Sequence, residues 1–462
     1  MFTYQDFEKR NSDSEFLLNA IHEHKTGEYY KTAVDADLYD RQRNRTINEY
    51  VKVLYTLTGT AVEDFTASNS KIASNFFNRL NTQRNAYLLG NGITFKNGGD
   101  TTKGKLGADF DNKVSRLAYY ALIHGIAFGY WNVDHLHVFP VTEFVPLWDE
   151  DTGALRAGIR WYQIDDLKPL NITLYEEDGY TKFRKPSTGE ELEMVQPKRS
   201  YNLTIAHTEF MGDEVVGEDN YSSLPIIPIY GNNLKQSTLI GMQRTIDSFD
   251  LIRSGFANDL TDVSQIYWLI ENAAGMDDDD LARFRDRLKL QHIAVVDTTD
   301  DVKIQPYTNE VPYQSRQAYL NDLRSQLYED FGGLDVHTIA AGATNDHIEA
   351  AYQPIDEEAD KYEFEITQFI KQLLHLIGIE DEPLYKRNRN SNQTEQTNMV
   401  LSAAEYLDEE TIIKHLPFIT VDEVEEILER KTAEDYERFA GTRRNANNEE
   451  STDEEDEAAQ NG

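Results

Sequence analysis

The chain contains no cysteine. Disulfide bonds and thiolate metal centres are therefore excluded, and cysteine usage says nothing about the redox compartment. No apolar run approaches the roughly 18–20 residues that a bilayer-spanning helix needs. The first residues, "MFTYQDFEKR", lack a basic stretch followed by an apolar one, so no secretory signal is expected. Positive charge is scarce. Forty-five Lys and Arg stand against 82 Asp and Glu, a net charge of −37. Such a surface repels nucleic acid and anionic membranes at long range. It suits simple solubility, and it also suits a surface that must pass close to a polyanion without sticking to it.

Signatures of catalysis are missing too. "LGNGITF" has Gly90 and Gly92 but no third glycine, and it follows a helical pattern; "TKGKLG" lacks the Walker spacing. His135 and His137 would share one face of a strand, which zinc can use, but no third ligand lies nearby in sequence and no HExxH occurs. No Gly-x-Ser-x-Gly elbow occurs either. Asp277 to Asp280 are consecutive acids. Clustered carboxylates hold cations in nucleases, and acids just before a helix also cap it and favour its dipole. The expectation is a protein that is not an enzyme and needs no cofactor or metal.

What is present supports real cores. Hydrophobic residues make up 39% of 462 residues, with 21 Phe and 26 Tyr, enough for two to four compact units. The N-terminal part reads as helical, through "EFLLNAIHEH" and "RTINEYVKVLYTL". A clearer helix has Ser70 as cap, Ile72, Phe76, Leu80 and Tyr87 at helical spacing, and Gly90 with Gly92 as its end. Another should run from Phe110 to His124 and stop at Gly125. From Ile126 to about Tyr230 the period becomes two, an antiparallel β region closed by "LPIIPIYGNN".

Helix then returns. Leu239, Met242, Ile246, Phe249, Phe256 and Leu260 form a seam broken only by Arg253. A second helix should span about Tyr313 to Phe331. Seams this narrow suit packing against neighbouring copies better than a monomer core. Between the two helices lies a small α+β insert with strands at "QIYWLI", "HIAVV" and "VKIQPY". Its helix carries Arg283, Arg285, Arg287 and Lys289, the densest basic patch in the chain. That patch either complements the helix dipole or forms a docking or phosphate-facing surface. The segment "VHTIAAGATN" follows the second helix and carries no formal charge. A long helix with Pro354 inside it comes next, then a polar linker, short helices and an acidic tail. As a phrase on its own, the uncharged segment is a weak core or an ordinary mobile loop.

The order of these pieces resembles the portal proteins of tailed double-stranded-DNA bacteriophages, of the siphophage type. "NSKIASNFFNRLNTQRNAYLLGNGITF", "YYALIHGIAFGYWNVD" with "FPVTEFVPLWDEDTGALRAGIRWYQ", "LPIIPIYGNN" ahead of "IDSFDLIRSGFANDL", and "VLSAAEYLDEETIIKHLPFITVDEVEEILER" carry the resemblance in order across nearly the whole chain. It implies an α+β portal fold: a wing over 1–235 and 349–390, stem helices over 236–262 and 313–332, and a clip over 263–312. A tunnel loop over 333–348, a helical crown over 391–440 and a disordered acidic tail over 441–462 complete it. It implies a ring, of twelve copies, at the unique capsid vertex. Double-stranded DNA would pass through the ring in packaging and ejection. Val336, His337, Thr338, Ile339, Ala340, Ala341, Gly342, Ala343, Thr344 and Asn345 would face that DNA. The implied partners are the terminase large subunit, the head-completion adaptor, the major capsid protein and a scaffolding protein, with no membrane. Assembly in the host cytoplasm and residence in the virion would follow. The other readings are an acidic capsid-associated scaffold or adaptor without a channel, and a metal-dependent phage nuclease.

Overall fold

The computed structural model describes residues 2–10, 14–55, 59–64, 68–187, 191–208, 212–262, 267–270, 279, 304–307, 312–338 and 345–388. Beyond these it describes 397, 400–404, 406–416, 419, 424, 427–428 and 430–432. The chain divides into two units, residues 1–335 with 353–388 and residues 336–352 with 389–462.

In the first unit, helices α1 (Tyr4–Arg10), α2 (Ser14–Thr26) and α3 (Glu28–Asp40) open the chain, and short α4 (Arg45–Glu49) follows. The continuation of "RTINEYVKVLYTL" is not helical: Val53–Tyr55 (β1) pairs antiparallel with Ala61–Glu63 (β2). β-branched residues at 51 and 53 favour that outcome over a helix. Helix α5 (Phe76–Leu89), strand β3 (Ile93–Phe95), α6 (Gly99–Leu106) and α7 (Phe110–His124) come next. Gly125 ends α7 in the left-handed region, with φ of 88° and its N–H donating to Ala121 O at 2.8 Å.

The β region forms three antiparallel sheets. β4 (Ile126–Asn132) lies between β5 (His135–Pro140) and β13 (Ile226–Tyr230). β6 (Phe144–Trp148), β7 (Leu155–Tyr162), β8 (Leu170–Glu176), β9 (Gly179–Lys185) and β10 (Glu193–Arg199) form a five-stranded meander. β11 (Asn202–Thr208) and β12 (Gly212–Asp219) form a separate ribbon. The edge strands β6 and β13 each carry a proline at mid-strand, Pro146 and Pro228. A residue without an N–H belongs at an edge, and it blunts further pairing there.

Helices α1 and α2 cover the five-stranded sheet, burying Phe7, Phe16, Leu17 and Ile21 against Val145, Leu147, Ile159, Ile172 and Leu174. The central core joins α7 to β4, β13 and the long helix α10 (Asn345–Leu376) through Leu117, Ala118, Ala121, Ile229, Ile366, Phe369 and Leu373. A short strand, β16 (Pro383–Tyr385), returns to pair with β3.

Helix α8 (Leu239–Asp262) is about 36 Å long at 1.5 Å per residue. It packs against α9 (Tyr313–Phe331) through Phe249, Leu320 and Leu323. The seam residues Leu239, Met242 and Ile246 are buried among Ala36, Tyr39, Phe77, Leu80, Ile123, Leu327 and Phe331 of the same chain. This corrects the expectation that the whole seam serves neighbouring copies. The first half is core, because α3, α5, α7 and α9 all converge on it; Phe256 is half-buried and Leu260 is 55% exposed.

Residues 70–75 are a second correction. They are not the first turn of a helix, and Ser70 caps nothing. The Ser70, Ile72 and Ser74 N–H groups donate to Asn258 Oδ1 (2.6 Å), Ser254 Oγ (3.0 Å) and Asp250 Oδ1 (2.9 Å). Two extended residues advance about 6.7 Å and four helical ones about 6 Å. An extended strap therefore keeps register along every fourth residue of α8.

Strands β14 (Tyr267–Ile270) and β15 (Ile304–Tyr307) pair antiparallel between α8 and α9, so both ends of the insert are extended as expected. The rest of the insert, including "HIAVV" and its helix except Asp279, lies outside the described residues. In the second unit, a 3-10 turn spans Val336–Thr338. Helix α11 (Glu409–His415) is capped by Asp408, whose carboxylate accepts the Thr411 N–H at 3.0 Å.

Candidate functional site

No charged side chain in "VHTIAAGATN" can do chemistry, so its candidacy rests on how the chain presents it. Helix α9 ends at Gly332, in the left-handed region with φ of 65°. A Cβ there would lie 2.8 Å from Glu358 Cγ, so the turn sits tightly on α10. The next residues are held by side chains. Gln83 Nε2 donates to Leu334 O at 2.9 Å, and the Leu334 N–H donates to Gln83 Oε1 at 3.0 Å. Arg324 donates to both carboxylate oxygens of Asp335, at 2.8 and 3.1 Å.

Arg84 lies beneath this turn and is 5% exposed. Its guanidinium donates to Phe331 O, pairs with Glu358 Oε2 at 3.2 Å and lies 4.0 Å from the Phe331 ring centroid. Burial lowers its pKa, while the Glu358 carboxylate opposes that. Farther along α10, Tyr87 Oη donates to Asp356 Oδ1 at 2.7 Å and Tyr362 Oη donates to Asn85 Oδ1 at 2.9 Å. Arg387 binds Asp356 at 2.9 Å and Glu363 at 3.1 Å, and also contacts Asp360; those hydrogen bonds overcome desolvation and raise its pKa.

The sequence-derived residues distribute unevenly. Val336 and His337 are exposed in the 3-10 turn that reaches Thr338, and Asn345 opens α10. Ile339, Ala340, Ala341, Gly342, Ala343 and Thr344 lie outside the described residues, as do Arg283, Arg285, Arg287 and Lys289. Of the acidic run, only Asp279 is described, in helical conformation. His135 and His137 do share a face. Their Nε2 atoms are 2.9 Å apart, and His135 Nδ1 binds Asp134 Oδ1 at 2.5 Å. Among the described residues no three metal-capable side chains converge.

A cavity of about 450 Å³ is walled by Tyr29, Ile126, Val141, Pro146, Trp148 and Tyr230. Its histidine, His24, is engaged by Val141 O at 2.8 Å, and burial lowers its pKa. Sequence reasoning passed over Gln83 and Arg84. One signal was available: Arg84 falls on the same helical stripe as Leu80 and Tyr87, where a charged group has to find a partner.

The family described as Phage portal protein, SPP1 Gp6-like, matches residues 30–437. The chain belongs to this family of phage portal proteins. The portal protein of Clostridium phage phiCD119 is 25% identical over 421 residues, covering 80% of this chain and 88% of its own. That of Bacillus phage SPP1 is 21% identical over 406 residues, covering 81% and 78%. Among solved structures, the neck of a native GTA particle aligns with a TM-score of 0.37 at 10% identity, over 74% of this chain and 89% of that one. Portal proteins are structural components of the capsid's portal vertex, and this chain takes that role. No helix among the described residues is long and apolar enough to cross a membrane.

Proposed function

We propose that copies of this portal chain close into a ring, of twelve by family resemblance, and that double-stranded DNA enters and leaves the capsid through its axis. In this reading 236–262 and 313–332 are the stem and 263–312 the clip. The terminase large subunit docks on the clip during packaging, and the head-completion adaptor replaces it. The basic residues Arg283, Arg285, Arg287 and Lys289 serve that docking. The major capsid protein and a scaffolding protein are further partners; residues 1–235 with 349–390 form the wing, and 391–440 form the crown. The ring assembles in the host cytoplasm and stays in the virion.

The observation that carries the channel is the contrast between Val336–Asn345, without a formal charge, and a chain of net charge −37. Phosphates that meet such a surface find no fixed cations to stop at, and cationic contacts supply essentially all of sequence-independent protein–DNA affinity. An uncharged loop touches DNA without gripping it, and its small residues let it yield. Electron microscopy of the purified protein, together with packaging by Ala340→Lys/Ala341→Lys, tests this. Closed rings with a central hole are expected, with packaging slowed or jammed in rings that still form. A compact monomer at high concentration sinks the ring, and packaging indifferent to the lysines sinks the DNA contact.

A further inference from the structure

Helix α5 presents Leu80, Gln83, Arg84 and Tyr87 at the i, i+3, i+4 and i+7 spacing of one face. All four meet one of two chain segments: the one ending at Asp335, from which 336–352 departs, or the one beginning at Gln353, to which it returns. Leu80 lies under Gly333, where an added Cβ would come within 2.6 Å of Leu80 Cδ2. Gln83 takes both backbone groups of Leu334, as a strand partner would. Tyr87 takes Asp356 on the return side. Arg84 takes both sides at once, through Phe331 O and Glu358.

We propose that Gln83 and Arg84 are positioning residues for the 336–352 segment. They fasten its departure and its return to one helix, so that force exerted by moving DNA is taken up by α5 and not by the turn between α9 and α10. The proposal rests on the reading that this segment faces DNA. Its physical basis is the cost of an unpaired buried cation. Arg84 cannot give up either acceptor cheaply, so its two contacts stand or fall together. A guanidinium serves two acceptors in fixed directions, whereas an ammonium offers a single point charge.

The test combines amide exchange in assembled rings with DNA packaged per procapsid. Gln83→Leu removes both bonds to Leu334; it is expected to speed exchange there by at least about tenfold, the worth of the one its N–H makes, and to lower packaging with ring number unchanged. Arg84→Met is expected to speed exchange at 331–335 and at 355–358 together. Arg84→Lys is expected to restore protection on the Glu358 side alone. Exchange that is unchanged in both variants overturns the clamp, and so does a rise at one end only in Arg84→Met rings. Raised exchange at both ends with normal packaging overturns the positioning role, while the DNA contact itself stands or falls separately with packaging by Ala340→Lys/Ala341→Lys. Should Arg84→Met fail to form rings, the half-buried Gln83 decides through the same two readings.

Discussion

Asp381 collects hydrogen bonds that fasten the chain's return to the loop before α6. Its carboxylate accepts the N–H groups of Asn97 (2.9 Å), Gly98 (2.8 Å) and Glu382 (2.8 Å) and the Thr102 hydroxyl (2.8 Å). Desolvation works against the charge, but these donors outweigh it and hold the pKa down at about 2. An unfolded Asp titrates near 3.9. A depressed folded value stabilises the fold fully above the unfolded pKa, and that contribution is lost as pH falls from about 4 to about 2. Asp381→Asn should therefore unfold at lower urea than the parent at neutral pH, with the gap closing across that window. A gap that stays constant down to pH 2 would mean that the side chain acts through shape and not charge.

At the scale of elements, the strap along α8 is the arrangement most exposed to a single change. Asp250 accepts the Ser74 N–H and, at 2.5 Å, the Asn44 side-chain amide; burial raises its pKa. Asp250→Ala removes both acceptors and leaves buried donors unpaired, at a cost of about 2–4 kcal/mol. Amide exchange should quicken at Ser74 while Ser70, held by Asn258, keeps its protection. Equal loss along 70–74 would show that the strap opens as one unit. The same strap shows what a sequence conveys. Helix Phe110–His124 lies where its periodicity and Gly125 put it, since a left-handed glycine stop is a local instruction, and Tyr313–Phe331 lies where its apolar spacing puts it. The 70–75 segment instead follows partners 176 to 188 residues away, which no local pattern announces. The candidate site divides the same way. Its uncharged segment was legible from composition, whereas Gln83 and Arg84 act on groups about 250 residues distant, and only Arg84's place on an apolar stripe hinted at it.

For the whole molecule, net charge governs assembly. Each copy carries −37, so bringing copies together works against mutual repulsion at every step. The first half of the α8 seam is spent inside the chain, and Leu260, Tyr313 and Tyr319, with Ile240 at the start of α8, stay about half exposed as apolar surface on the α8–α9 pair. Apolar contacts of this kind are strengthened slightly by salt, and long-range repulsion is screened by it: the Debye length falls from about 30 Å at 0.01 M to about 3 Å at 1 M. Both effects point the same way. Oligomers should be scarce at low ionic strength and accumulate as salt rises, as mass photometry at fixed protein concentration would record. Tyr313→Ser with Leu260→Ser should shift that curve to higher salt while leaving monomer unfolding nearly unchanged, because neither side chain belongs to a core. If oligomers instead dissolve as salt rises, the contacts between copies are ion pairs, and the exposed α8–α9 face is not where they lie.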